Sequence, residues 1–140
     1  MKHLSALLAV ALVALCGQAQ AAPAAVKAAD AWCRAAPAGA LSGACYLTLT
    51  AGADDKVTGI ASPAAARVEI HDMDMTGGIM RMRKVDSLAL PKGQAVALSP
   101  GGQHVMLFSP VRGALVKGAQ VVLTIRFAKA PALSVTAPVR

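Results

Sequence analysis

The sequence has few aromatic side chains and few charged ones. Trp, Tyr and Phe make up 3% of the 140 residues, and Asp, Glu, Lys and Arg make up 15%. The four aromatic side chains offer little surface for stacking on bases, and the basic residues form no run longer than Arg83-Lys84. The formal charge of +7 therefore does not predict a nucleic-acid-binding protein. It favours an acidic partner surface or simply keeps the protein soluble.

The sequence also lacks a hydrophobic run long enough to cross a membrane. The longest run extends from Leu4 to Leu15, about a dozen residues where a span needs about 20. A lysine and a histidine precede it and the small-residue pattern Ala19-Gln20-Ala21 follows it, which is typical of a secretory signal peptide. We therefore predict a signal peptide at residues 1–21 and a single periplasmic domain at residues 22–140.

Three cysteines are present, in two different contexts. Cys16 lies in the signal segment after Leu15, where the signal of a lipid-anchored protein has a small residue, so we do not favour a lipid anchor. Cys33 and Cys45 lie in the predicted domain and could be a disulfide, two free thiols, extra metal ligands or small buried hydrophobic residues. Nearby thiols in an oxidising compartment tend to pair. We hypothesise a disulfide, which would stabilise the fold by roughly 3 kcal/mol.

Short segments rich in Val, Leu, Ile and Thr, separated by Gly and Pro, predict an all-β domain with many turns. Apolar and polar side chains alternate over 123–127, as in a strand with one buried face. Residues 76–78 are expected to form a turn, and residues 61–66 either a loop or a short helical turn. The number of strands favours a Greek-key sandwich or barrel. The strands are expected at 27–34, 44–51, 56–61, 66–72, 79–85, 94–98, 103–108, 120–128 and 132–138.

Methionine and histidine, by contrast, are concentrated in one third of the chain. Outside the first three residues, every Met and His lies between His71 and Met106. Thioether sulfur is a good ligand for Cu(I), and copper also accepts imidazole, so this segment predicts a copper site biased toward the reduced ion. Zinc is disfavoured because its usual ligands are Cys, His and carboxylate. Because side chains alternate along a strand, Met80 and Met82 should share one face, and His104 and Met106 should do the same.

The spacing of four of these residues resembles the copper-binding motif of the periplasmic PCu(A)C copper chaperones. Ten residues separate His71 from Met82, twenty-one separate Met82 from His104, and one separates His104 from Met106. Segments such as "SPAAARVEIHDM", "GIMRMRKVDSLALPKGQAVALSPGGQHVML" and "VVLTIRFAKAPALSVTAPV" are similar too, so the resemblance covers nearly all of residues 22–140.

This resemblance implies a cupredoxin-like Greek-key β-sandwich that binds one Cu(I). Its ligands would be His71, Met82, His104 and Met106. The acceptor would be the Cu(A) site of cytochrome c oxidase subunit II, another periplasmic cuproprotein or another copper chaperone. The sequence departs from the family in the cysteines at positions 33 and 45, where small residues such as alanine are expected. Its last residues, "SVTAPVR", contain no His or Met, which puts a second site for Cu(II) in doubt.

The sequence predicts the roles of other residues near the motif less specifically. Met80 is expected on the side of Met82 and could flank the metal, but core packing is its expected role, because a strand methionine most often fills the core. Met73 and Met75 are expected to be partly exposed and could touch copper during transfer. Asp72 and Asp74 should form turns or contact a partner, since hard carboxylates match Cu(I) poorly. The basic residues at positions 81, 83 and 84 are expected on a solvated face and could dock an acidic acceptor.

Two further classes of function stay open on the sequence alone. An electron-transfer cupredoxin needs a cysteine thiolate with two histidines and a distant methionine, and neither Cys33 nor Cys45 lies in the ligand segment. A metal-free extracytoplasmic binding module would use these side chains for packing. We do not expect an enzyme, because four donors saturate Cu(I) and leave no open position for a substrate. We expect a monomer without a membrane span.

Overall fold

The computed structural model describes residues 21–140. The predicted signal peptide at residues 1–21 lies outside these residues except for Ala21, as does Cys16, so both predictions about that segment stay predictions. Within the described range, no helix is long and apolar enough to cross a membrane. Regular structure there consists of β-strands and one 3-10 turn at Thr76–Gly78.

Ten strands follow one another along the chain, and most connections between them are short. The turn at 76–78 is confirmed, with φ of +74° at Gly77 and Gly78, a conformation that glycine adopts without steric cost. The strands are β1 (Val26–Cys33), β2 (Ser42–Ala51), β3 (Asp55–Ala61), β4 (Ala65–Asp74), β5 (Arg81–Val85), β6 (Leu88–Leu90), β7 (Ala95–Leu98), β8 (His104–Pro110), β9 (Gln120–Phe127) and β10 (Leu133–Pro138).

These strands form two antiparallel sheets that share one hydrophobic core. The larger sheet has the order β1-β2-β8-β4-β5, and β7 pairs with a second part of β2. The smaller sheet has the order β10-β9-β3-β6. Contacts of β3 with β4 and of β1 with β10 join the two layers. The prediction of an all-β sandwich is confirmed.

Alternating side chains of each strand fill the space between the sheets. On β9, Val121, Leu123 and Ile125 are fully buried, whereas Val122 and Arg126 are exposed, so the predicted alternation is confirmed. Burying each such side chain stabilises the fold by about 1.5–3 kcal/mol. The same period applies to the larger sheet, which therefore has a core face and an outer face.

A disulfide joins the first two strands. Cys33 and Cys45 lie directly opposite each other on β1 and β2, are fully buried and are bonded through their sulfur atoms. The disulfide hypothesis is confirmed, and the alternatives of free thiols and of extra copper ligands are wrong. Because the bridge spans a sequence separation of 12, it stabilises the fold by roughly 3 kcal/mol.

Asp55 links the start of β3 to the connection between β9 and β10. Its carboxylate accepts hydrogen bonds from the backbone N–H groups of Lys56 and Ala130, each at 2.8 Å, and of Lys129 at 3.0 Å. Burial raises the pKa of this carboxyl, but the backbone donors of Ala130, Lys56, Lys129 and Ala128 together hold it below its ordinary value. The folded chain therefore favours the ionised form of Asp55.

Two local predictions are corrected by the structure. Strand β6 was missed because three residues between Ser87 and Pro91 are too few to reveal a period of two. Residues 61–66 do not form a helical turn, since Ala65 already begins β4 after a turn in which Ser62 accepts its N–H. Alanine is uncommon in strands, but the pairing of β4 with β8 outweighs this low intrinsic tendency.

Candidate metal site

Three neighbouring strands of the larger sheet bring the four motif residues to one face. In the ladders β8-β4-β5, His71 is opposite His104, Met73 is opposite Met82, and Glu69 is opposite Met106. Directly opposed residues of paired strands point to the same side of a sheet. Their neighbours along the strands, Ile70, Val105 and Leu107, are buried in the core. The motif side chains and those of Met73 and Glu69 therefore all lie on the outer face.

The two histidines of this face are close enough to share one ion. Their ring centroids are 6.1 Å apart. A ring nitrogen lies about 2 Å from a bound first-row metal, so two imidazoles on opposite sides of one ion have centroids up to about 6.5 Å apart. The separation of the rings is within this limit. His104 is 5% exposed and His71 is mostly buried.

The ring of His104 is oriented by the chain that precedes it. Its Nδ1 lies 3.1 Å from the carbonyl oxygen of Gly102. Because a carbonyl can only accept a hydrogen bond, Nδ1 of the neutral ring carries the proton. The lone pair of His104 is then on Nε2.

The ring of His71 has the opposite arrangement, which Glu69 determines. His71 Nε2 lies 2.8 Å from Glu69 Oε2, and the other carboxylate oxygen forms an ion pair with Arg67 Nε at 2.9 Å. The hydrogen bond from His71 is the largest influence that holds the pKa of Glu69 below its ordinary value. The charges of Arg67 and Lys84 add to it, and burial opposes it. An ionised carboxylate is only an acceptor, so Nε2 of a neutral His71 carries the proton.

The remaining nitrogen of His71 is an unsatisfied buried atom. Nδ1 has no hydrogen-bond partner among the residues that the structure describes, although it is shielded from solvent. Buried polar side-chain atoms nearly always have a partner. A free lone pair in this position fits a metal ligand, and a neighbouring carboxylate that orients a histidine through its other nitrogen is the usual support for such a ligand.

A solvent-open cleft of about 350 Å³ borders His104, the histidine opposite His71 in the β4–β8 ladder. Met73, Met82, His104 and Met106 line it, together with Tyr46. Residues 34–36 of the loop that connects β1 and β2 line it as well. Met82 is 54% exposed, because β5 is the edge strand of the sheet. The cleft therefore combines three thioethers and one imidazole, with His71 beside them.

The other methionines of the segment lie away from this cleft. Met80 precedes β5 and is 57% exposed, so the prediction that it packs in the core is wrong. Met75 follows β4 and is also exposed, and Met73 is half-buried within β4, as partial exposure of both predicted. The turn that follows Met75 depends on Asp74, whose carboxylate accepts hydrogen bonds from the backbone N–H of Thr76 at 2.8 Å and from its hydroxyl. The hydroxyl bond is the main reason that the pKa of Asp74 is lowered.

The basic side chains of β5 do not form one patch. Arg81 and Arg83 are exposed as expected, but they are opposite Asp74 and Asp72 on the face away from the motif residues, so the charges there are mixed. Lys84 is opposite His71 and belongs to the face of the cleft. Docking of an acidic acceptor on these three residues together therefore has no support in their arrangement.

Two features of the site were not predicted from the sequence. Glu69 is two residues before His71, and strand alternation alone could have placed it on the same face. Tyr46 and the β1–β2 loop come from a distant part of the chain, and no local signal indicates them. Across residues 21–140, no three side chains of His, Cys, Asp or Glu are grouped as a metal site.

The chain is similar to known proteins over most of its length. Residues 26–139 match the LpqE-like family, described as "Putative lipoprotein LpqE-like". The protein named "Putative lipoprotein Lxx21020" from Leifsonia xyli subsp. xyli is 28% identical over 116 residues, which are 82% of this chain and 69% of that protein.

Two solved structures extend the similarity to the fold. CuI-DR1885 from Deinococcus radiodurans is 30% identical with a TM-score of 0.63, covering 91% of this chain and 85% of that one. The copper-bound PCuAC domain from PmoF2 is 25% identical with a TM-score of 0.67, covering 82% of this chain and 92% of that one. The sandwich is therefore of the cupredoxin-like kind that the family resemblance implied.

Proposed function

Because the chain belongs to the LpqE-like family, which is the PCuAC family, we propose that it is an extracytoplasmic copper chaperone. It binds one Cu(I) through His71, Met82, His104 and Met106 and delivers it to a cuproprotein. The Cu(A) site of cytochrome c oxidase subunit II and a second copper chaperone are the acceptors that the family resemblance implies. The observation that carries this proposal is the presence of two free imidazole lone pairs and the two motif thioethers on one sheet face beside an open cleft.

The donor set favours the reduced ion. Thioethers are soft, uncharged ligands that prefer Cu(I) over harder cations, and neutral imidazole is acceptable to it. Glu69 contacts the ligand ring through a hydrogen bond, so it is a positioning residue that keeps Nδ1 of His71 directed to the ion. The negative charge of Glu69 also partly compensates the positive charge of the bound Cu(I).

The exposure of the ligands is suited to transfer. Met82 is on the edge strand and more than half exposed, whereas His104 is buried. A ligand of the acceptor can therefore displace the Met82 sulfur first, and copper moves by exchange of ligands without becoming free. No substrate is chemically changed, so the proposed protein is a carrier and not an enzyme.

Two further features of the chain agree with a location in an oxidising compartment. The buried Cys33–Cys45 disulfide is typical of proteins outside the cytosol, and the family description refers to lipoproteins. We place the protein in the periplasm. We also expect it to act as a monomer, so that the cleft stays open to an acceptor.

Anaerobic titration with Cu(I) against a chromogenic chelator tests the proposal. Wild type should bind one equivalent, and His104→Ala and Met106→Leu should each weaken binding by more than about tenfold, or about 1.4 kcal/mol. Met75→Leu is the matched control, because this methionine is exposed and does not line the cleft. Absence of tight Cu(I) binding by wild type would favour the metal-free binding module instead. An electron-transfer cupredoxin is disfavoured because both cysteines of the domain are in the disulfide and supply no thiolate.

A further inference from the structure

Met73 occupies the middle of the site, although it is not one of the four motif residues. Strand β4 lies between β5, which carries Met82, and β8, which carries His104 and Met106. Adjacent strands are about 4.8 Å apart, so the backbones of β5 and β8 are separated by about 10 Å. An ion that contacts side chains of both outer strands must lie above β4.

Two of the described β4 residues on this face have a donor near that position that suits Cu(I). They are His71, opposite His104, and Met73, opposite Met82. Met73 is half-buried and lines the cleft together with Met82, His104 and Met106. Because directly paired residues have Cβ atoms about 4.5–5.5 Å apart, the side chain of Met73 reaches the same space as that of Met82.

We propose that Met73 is a further thioether ligand of the copper site and replaces Met82 when the ion is handed over. This inference rests on the proposed function. In the exchange, the bond between copper and the Met82 sulfur breaks as a bond between copper and the Met73 sulfur forms. Both donors are neutral, so no electron and no proton moves. The ion keeps its coordination number while Met82, the outermost ligand, is free to leave.

A packing role for Met73 predicts different behaviour. Met73 is on the outer face of the sheet and not in the core, so its replacement by leucine, which has a similar volume, should leave the fold intact. Met75 is two residues away, exposed and outside the cleft lining, which makes Met75→Leu a control of the same chemistry. An effect limited to Met73 would therefore reflect its sulfur atom.

A double-mutant cycle on Cu(I) affinity tests the inference. Met73→Leu and Met82→Leu should each lower the affinity less than about tenfold, since the other sulfur remains. The double variant should lose about tenfold more than the product of the two single effects. Met75→Leu should change neither the wild-type value nor that of Met82→Leu.

The ¹³C-methyl NMR signals of the methionines give a second, independent reading. On addition of one equivalent of Cu(I), the methyl signal of Met73 should shift together with those of Met82 and Met106, while that of Met75 stays in place. Additive single effects together with an unmoved Met73 signal would overturn the inference and leave the proposed function intact. If wild type bound no Cu(I), the proposed function itself would fail.

Discussion

Replacing Glu69 with leucine is predicted to weaken copper binding without unfolding the protein. Glu69 accepts a 2.8 Å hydrogen bond from His71 Nε2, and its side chain is 16% exposed. Hydrogen bonds to charged groups contribute about 1.5–3 kcal/mol, and loss of the group that orients a metal-binding histidine usually costs about 10–100-fold in affinity. The two figures describe the same range of binding free energy, because a tenfold change in affinity is about 1.4 kcal/mol. We therefore expect Glu69→Leu to reduce Cu(I) affinity by about 10–100-fold.

The ring of His71 can be followed directly in the metal-free protein. In wild type, ¹⁵N NMR should find the proton of neutral His71 on Nε2 and the free lone pair on Nδ1. Glu69→Leu should make the two tautomers comparably populated. Glu69→Gln keeps an oxygen that can accept from Nε2 but loses the charge, so it should retain more affinity than the leucine variant.

Asp72→Asn is the matched control for these variants. Asp72 is the neighbour of His71 in the chain, but it points to the opposite face of β4 and is opposite Arg83. Its replacement should change neither the tautomer of His71 nor the affinity for Cu(I). If Glu69→Leu bound copper as tightly as wild type and kept the proton on Nε2, the reasoning about Glu69 would be refuted.

Three further predictions concern the stability of the fold. Cys33→Ala together with Cys45→Ala should lower the free energy of unfolding, measured by urea denaturation, by roughly 3 kcal/mol. The affinity for Cu(I) should not change, because the bridge is on the core side of the sheet. A double variant as stable as wild type would contradict this prediction. Asp55→Asn should cost about 1–2 kcal/mol at pH 7, since the amide satisfies fewer of the backbone donors. The folded pKa of Asp55 is lowered, so its contribution is present above the unfolded value of about 3.9 and is lost as the pH falls below it. The difference in unfolding free energy between wild type and the variant should therefore shrink as the pH falls below that value, and a constant difference at all pH values would refute it. Met80→Ser should change stability by less than about 0.5 kcal/mol, as an exposed side chain does, whereas a loss of 2 kcal/mol or more would indicate a core position after all.

The periodicity of the sequence was sufficient to predict the faces of the site strands. Residues separated by two, such as His104 and Met106, lie on one face because a strand has a period of two, and this needed no knowledge of strand pairing. The turn at 76–78 was also predictable from local sequence, because glycine tolerates positive φ. The disulfide could only be hypothesised, because it depends on the register that places Cys33 opposite Cys45.

Other parts of the site depend on which strands become neighbours. Met73 and Met82 come together because β4 pairs with β5, and the histidines because β4 also pairs with β8. The predicted strand 79–85 begins two residues later, at Arg81, which leaves Met80 outside the sheet and exposed. The cleft also needs the β1–β2 loop, which is distant in sequence. Such long-range pairing cannot be obtained from local patterns.

X-ray absorption at the copper edge of the protein loaded with one Cu(I) is the most direct measurement of the central claim. The account predicts a monovalent edge and a first shell that contains both imidazole nitrogen and thioether sulfur, with the nitrogen contribution reduced in His104→Ala. A first shell without sulfur, or an unchanged spectrum in that variant, would contradict it.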